Sequence, residues 1–71
     1  MKRLERVRKQ DGKKAVMDLQ VSTASDLPAI GDALFNLIVA AGTIAQAVQT
    51  GKFYTLDENG TWYDTDGNAA S

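Results

Sequence analysis

The 71-residue chain contains no histidine and no cysteine. The first absence removes the commonest general base and the second the commonest thiol nucleophile; together they remove the leading transition-metal ligands. Disulfides are excluded, and a structural zinc site has no ligand pair to start from. No GxxxxGK(S/T) phosphate loop and no GxGxxG turn occurs in the sequence. The basic N-terminus is not followed by an apolar segment of the secretory kind. The longest apolar stretch, Leu34 to Val48, is broken by Asn36, Thr43 and Gln46 and is too short to span a bilayer comfortably. These features predict a protein made and folded in a cytoplasm, without membrane contact, cofactor or metal.

A chain of this length predicts one domain whose core uses nearly every residue, with little room for a deep cleft. The hydrophobic fraction, 44%, is that of a folded domain. A core this small contributes little net stability, and the usual covalent and metal staples are missing. Oligomerisation, with a trimer favoured, or docking on a larger body is the remaining way to stabilise it. The inventory argues for binding or assembly and against enzymatic activity.

The net charge of −1 conceals an asymmetry. Lys2, Arg3, Arg6, Arg8, Lys9, Lys13 and Lys14 carry seven of the eight positive charges, and against Glu5 and Asp11 they leave residues 1–14 at +5. Residues 15–71 set Lys52 against seven acids, which is −6. The chain divides into a basic arm (1–14), a β-domain (15–64) and a polar tail (65–71). The arm reads either as a solvated tail or as a tether to an acidic protein surface, a neighbouring copy included. A nucleic-acid-binding or regulatory protein that uses the arm on phosphates is the alternative function, and it is disfavoured because no aromatic side chain is interleaved with the cations to stack on bases.

Residues 13–22 alternate, with Met17, Leu19 and Val21 on one side and Val16, Asp18 and Gln20 on the other, as in a half-buried strand. Asp11-Gly12 before it suits a tight type I′ turn, so residues 3–9 could return as a partner strand with Leu4 opposite Leu19. A short basic helix over 2–9 is the competing reading. In residues 22–32, Ser25 suits the cap of one helical turn, with Asp26, Leu27 and Pro28 early in it and Gly31 ending it. Leu27 and Ile30 are spaced to plug this connector into the core.

Residues 33–50 support two readings. Leu34, Leu37, Ile38, Ala41, Ala45 and Val48 follow helical spacing. Phe35 to Val39 also suits a buried strand, Ala40 to Gly42 a turn and Thr43 to Gln49 a second strand; Gly42 would weaken a helix interior by about 1 kcal/mol. Further on, Thr50-Gly51 suits a two-residue hairpin loop with Val48 opposite Phe53. Glu58-Asn59-Gly60 is turn chemistry, with Gly60 at positive φ and Leu56 opposite Trp62. The expected fold is a mainly β, antiparallel meander with one short helical turn; the alternative is α+β with a helix at 33–50. On this register Tyr54, Leu56, Trp62, Ala45 and Ala47 share one face, and Val48, Phe53 and Tyr63 the other. A small sheet has one core, so the second apolar face needs cover from residues 1–39 or from another subunit.

The order of a strand, then Ser25-Asp26-Leu27-Pro28, an apolar segment, and TGKFYTLDENGTWYD resembles small β-modules of tailed-bacteriophage and prophage virions. In these a DLP turn precedes a Y-x-x-D-x-x-G-x-W hairpin, here Tyr54, Asp57, Gly60 and Trp62. The resemblance covers about residues 21–64 and implies strands over 33–50. It also implies a structural, non-catalytic accessory part of the virion: a head fibre, a capsid decoration or an attachment piece of a tail. The implied partner is a capsid or tail protein, and the implied location is the virion, assembled in the bacterial cytoplasm.

Other readings are weaker. Trp62, Tyr54 and Tyr63 could form a platform for sugars, but packing in the core or between subunits suits them better. Asp64-Thr65-Asp66-Gly67-Asn68 has the glycine misplaced for a calcium loop. Asp57 and Glu58 are adjacent in a turn, where neither carboxyl would be shielded enough for acid–base chemistry.

Overall fold

The computed structural model describes residues 2–70. In chain order it contains β1 (Lys2–Asp11), β2 (Lys14–Val21), a 3₁₀ turn (Ala24–Asp26), β3 (Ala33–Leu34), β4 (Leu37–Val39), β5 (Ile44–Ala47), β6 (Lys52–Leu56) and β7 (Trp62–Asp64). All seven strands belong to one mixed sheet. β2 lies at its centre. One edge of β2 takes β1 antiparallel; the other takes β4 along its first half and β5 along its second, both parallel. β3 pairs with β4, β6 with β5 and β7 with β6, all antiparallel. The fold is therefore mainly β with one short helical turn, but it is not a meander throughout, because β4 and β5 run parallel to β2 after the 22–36 connection.

No helix forms over 33–50. Phe35 and Asn36 both have positive φ, at 54° and 62°, and Gly42 has φ 94°, so the backbone leaves the right-handed region twice within that stretch. Phe35 and Asn36 are not strand residues either. They are the two central residues of a tight β3–β4 turn, with Leu34 opposite Leu37, and positive φ at both positions is the type I′ pattern.

Residues 2–11 form neither a helix nor a free arm. β1 pairs with β2 along its length, with Leu4 opposite Leu19 and Val7 opposite Met17. Register shifts between Leu4 and Arg6, and between Val7 and Lys9, add one residue each to β1. That is how side chains three apart, Leu4 and Val7, both pack against the core. In the turn Asp11 pairs with Lys14, so the central residues are Gly12-Lys13, one step beyond the expected pair. Of the two only Gly12 has positive φ, the type II′ pattern.

The core lies on one face of the sheet. Ala15, Met17, Leu19 and Val21 from β2, Val39 from β4, Ala45 and Ala47 from β5, Tyr54 and Leu56 from β6 and Trp62 from β7 are all buried. The connector closes over them. Trp62 Nε1 donates to the Pro28 carbonyl at 2.7 Å, satisfying the indole while pinning the connector to β7. Leu27 packs against the core, but Ile30 is exposed and does not plug in. The 3₁₀ turn has Thr23, not Ser25, at its N-terminal cap position, and Pro28 follows the turn instead of entering it.

β4 and β5 act as one strand interrupted at Ala40–Thr43, and Thr43 repairs the interruption. It is fully buried; its Oγ1 accepts from the Met17 N–H at 3.2 Å and donates to the Ala40 carbonyl at 2.8 Å. The β5–β6 loop has four residues, Val48–Gly51, not two. Ala47 therefore faces Lys52, Gln46 faces Phe53, and Val48 lies outside the ladder.

Leu56 faces Trp62 as expected, and Gly60 has φ 86°. The Asp57–Thr61 loop is closed by four bonds: Asp57 N–H to the Thr61 carbonyl, Gly60 N–H to the Asp57 carbonyl, and the Asn59 and Thr61 N–H groups to Asp57 Oδ1. The Asp64–Asn68 loop repeats the same four bonds seven residues later. It returns the chain to pair Tyr63 with Ala69, while the Ala70 N–H bonds the Trp62 carbonyl. The tail is thus tied to the sheet through Ala70.

Candidate functional site

The residues with functional potential lie on the face of the sheet opposite the core and at one of its ends. Alternation places Asp18 and Gln20 of β2, Ile44 and Gln46 of β5, Phe53 and Thr55 of β6 and Tyr63 of β7 on the outer face. Register aligns them in two rows across the strands: Asp18, Ile44, Thr55 and Tyr63 in one, and Gln20, Gln46 and Phe53 in the other.

The hydrophobic residues expected at a core or subunit interface divide cleanly. Tyr54, Leu56 and Trp62 are core. Val48, Phe53 and Tyr63 are 42%, 48% and 38% exposed, and residues 2–39 do not cover them. This division removes the sugar platform, since two of its three rings face inward and one faces outward. A groove of about 420 Å³ opens on the outer face, lined by Glu5, Asp18, Gln20, Ile44, Gln46 and Phe53 among others. The Gln20 and Gln46 carboxamides bond to no other group among the described residues. Glu5 occupies the first bulge of β1, the kind of irregularity that re-aims a side chain.

The seven cations of residues 1–14 are not equivalent. Arg6 and Arg8 both fold onto Asp18: Arg6 Nη2 is 3.0 Å from Oδ2 and Arg8 Nε 2.7 Å from Oδ1. Arg8 also bonds the Gly42 carbonyl, joining β1 to the break between β4 and β5. Arg3 approaches Glu5 only at 3.8 Å, between well exposed groups, a contact of small energetic weight. Lys9, Lys13 and Lys14 form no ion pair among the described residues. They gather where β1 turns into β2, whereas Lys2 lies at the far end of the strand, opposite Val21. β1 is also an edge strand, and its charges and two bulges oppose uncontrolled pairing there. Two of the arm's cations, Arg6 and Arg8, therefore serve the fold, and Lys9, Lys13 and Lys14 remain for a partner.

The acidic residues 57–66 do not form a metal site. Asp57 and Asp64 each turn Oδ1 to the backbone of their own loop, and no group of three His, Cys, Asp or Glu side chains suited to a cation occurs among the described residues.

Phe35, Gln46, Gln20, Glu5 and Ile44 were not singled out by sequence reasoning. The three-residue spacing of Leu4 and Val7, inconsistent with a flat strand, was the readable sign of the bulges that place Glu5. Comparison with protein-family models, with curated proteins and with solved structures finds no match.

Proposed function

We propose that this chain is a structural assembly protein, acting by contact and not by catalysis, of the tailed-phage or prophage virion kind that its DLP turn and Y-x-x-D-x-x-G-x-W hairpin resemble. Its outer face associates with further copies, a trimer being favoured. The free cations of the β1–β2 turn meet an acidic capsid or tail protein. The observation that carries the reading is the exposure of large apolar side chains, Phe53 and Tyr63 on the face opposite the core and Val48 in the β5–β6 loop beside them. Burying them between copies would add apolar area that a chain this small cannot bury alone.

Location in the virion is tested by mass spectrometry of purified particles from the host. The chain should be recovered at fixed stoichiometry to the major capsid or tail protein, and attachment should weaken with salt once the Debye length falls below about 8 Å. Particles that lack the chain, from a host in which it is expressed, would overturn the virion assignment.

A further inference from the structure

The β3–β4 turn is unusual in what it displays. Type I′ turns favour Asn-Gly and Asp-Gly because both central residues need positive φ. Here the first central residue is Phe35, at φ 54°, and its ring is 42% exposed. A bulky side chain in the left-handed region is strained, and an exposed ring contributes little packing to compensate within the chain. The turn also has charged company. The Ile38 N–H donates to the Lys13 carbonyl, and Ile38 pairs with Lys14, so the Phe35–Asn36 turn projects beside the Gly12–Lys13 turn at the same end of the sheet. The result is a tip carrying one phenyl ring with Lys13 and Lys14 on the adjoining turn and strand, and Lys9 one strand further on.

The outer-face groove is of a kind to receive that tip. Ile44 and Phe53 give it apolar wall. Gln20 and Gln46, unbonded among the described residues, can bond the peptide groups of a turn. The oxygens of Asp18 are taken by Arg6 and Arg8, which leaves Glu5, only loosely approached by Arg3, as the carboxylate on the rim that a lysine could pair. The groove is open to solvent and, at about 420 Å³, larger than a phenyl ring. Tip and groove lie on different parts of the molecule, one at an end and one on a face.

We propose that the Phe35 tip of one copy inserts into the groove of the next, so that copies join head to tail; this rests on the self-association reading above and specifies its contact. Such an interface is heterologous, using two different patches, and closes into a ring where the rotation permits. A trimer is the smallest such ring beyond a pair.

The test mixes two variants. Phe35→Gly removes the ring, suits the positive φ and leaves the groove intact. Gln46→Arg fills the groove and leaves the tip intact; Phe53→Asp serves the same purpose should Gln46→Arg fold poorly by circular dichroism. Sedimentation equilibrium of each variant alone should report the mass of one chain, 7.6 kDa, at concentrations where the wild type associates. An equimolar mixture should give a 1:1 complex that grows no further, because it retains one competent tip and one competent groove. Phe35→Gly should also melt at a higher temperature than a wild-type sample diluted to monomer. Variants that associate as the wild type does, or a mixture that stays monomeric, would overturn the head-to-tail contact while leaving self-association standing. A wild type that never associates would overturn both.

Discussion

Thr43 performs with one hydroxyl what an unbroken strand would do with its backbone. The interruption between β4 and β5 would leave the Met17 N–H of the central strand without a partner, and Thr43 Oγ1 supplies one while donating to Ala40. Thr43→Val keeps the shape and removes both bonds, leaving a buried amide unsatisfied. It should lower the unfolding free energy by about 1–3 kcal/mol in a denaturant titration. Gly60 has φ 86°, and a Cβ there would come within 3.0 Å of Ile30 Cγ2. Gly60→Val should cost more than about 1 kcal/mol, seen as a lower melting temperature, since a β-branched residue fits neither that conformation nor that space. An unchanged melt would contradict the turn geometry. Phe35 supplies the opposite sign: Phe35→Gly should stabilise the isolated chain by about 1 kcal/mol, by relieving left-handed strain. A glycine here that destabilised the fold would mean that the ring contributes packing to its own chain.

Among the elements, β1 matters most, because it covers one whole edge of β2 and adds Leu4 and Val7 to the core. Deleting residues 1–11 should therefore not yield a folded body without its tether. It should uncover the β2 edge beside Met17 and Leu19 and give a chain that aggregates, with loss of the β-signal in circular dichroism and a rise in scattering. A soluble truncation with the wild-type spectrum would contradict the pairing. The same scale shows what local sequence could and could not reveal. β2 was legible from its alternation, β6 and β7 from their aromatic and β-branched residues, and Glu58-Asn59-Gly60 marks the turn between the last two. The Leu4–Leu19 register was legible from Asp11-Gly12 and the two leucines. The Phe35–Asn36 turn was not, since neither residue signals a turn as glycine does and the segment around it is apolar enough to pass for strand or helix. The parallel pairing of β2 with β4 and β5 was invisible, because nothing in a strand's own residues names a partner more than twenty positions away. For the candidate site, the cations were legible as a group, but their division between Asp18 and the free tip depends on bulges that only the folded register displays.

For the whole molecule, one sheet, one core and no covalent staple leave large apolar side chains on an outer face that the chain does not cover. Charge adds direction to that surface. Lys9, Lys13 and Lys14 gather at one end, while Asp64 ends β7 and Asp57, Glu58 and Asp66 sit in the loops flanking it, across the sheet from β1. A molecule polarised in this way favours unlike patches meeting over like patches meeting, which suits a repeating assembly. Sedimentation equilibrium of the full chain across micromolar concentrations tests the central claim most directly. The account predicts a reversible, concentration-dependent oligomer, a trimer being the favoured size. A single species of 7.6 kDa with a cooperative, concentration-independent melt would contradict it.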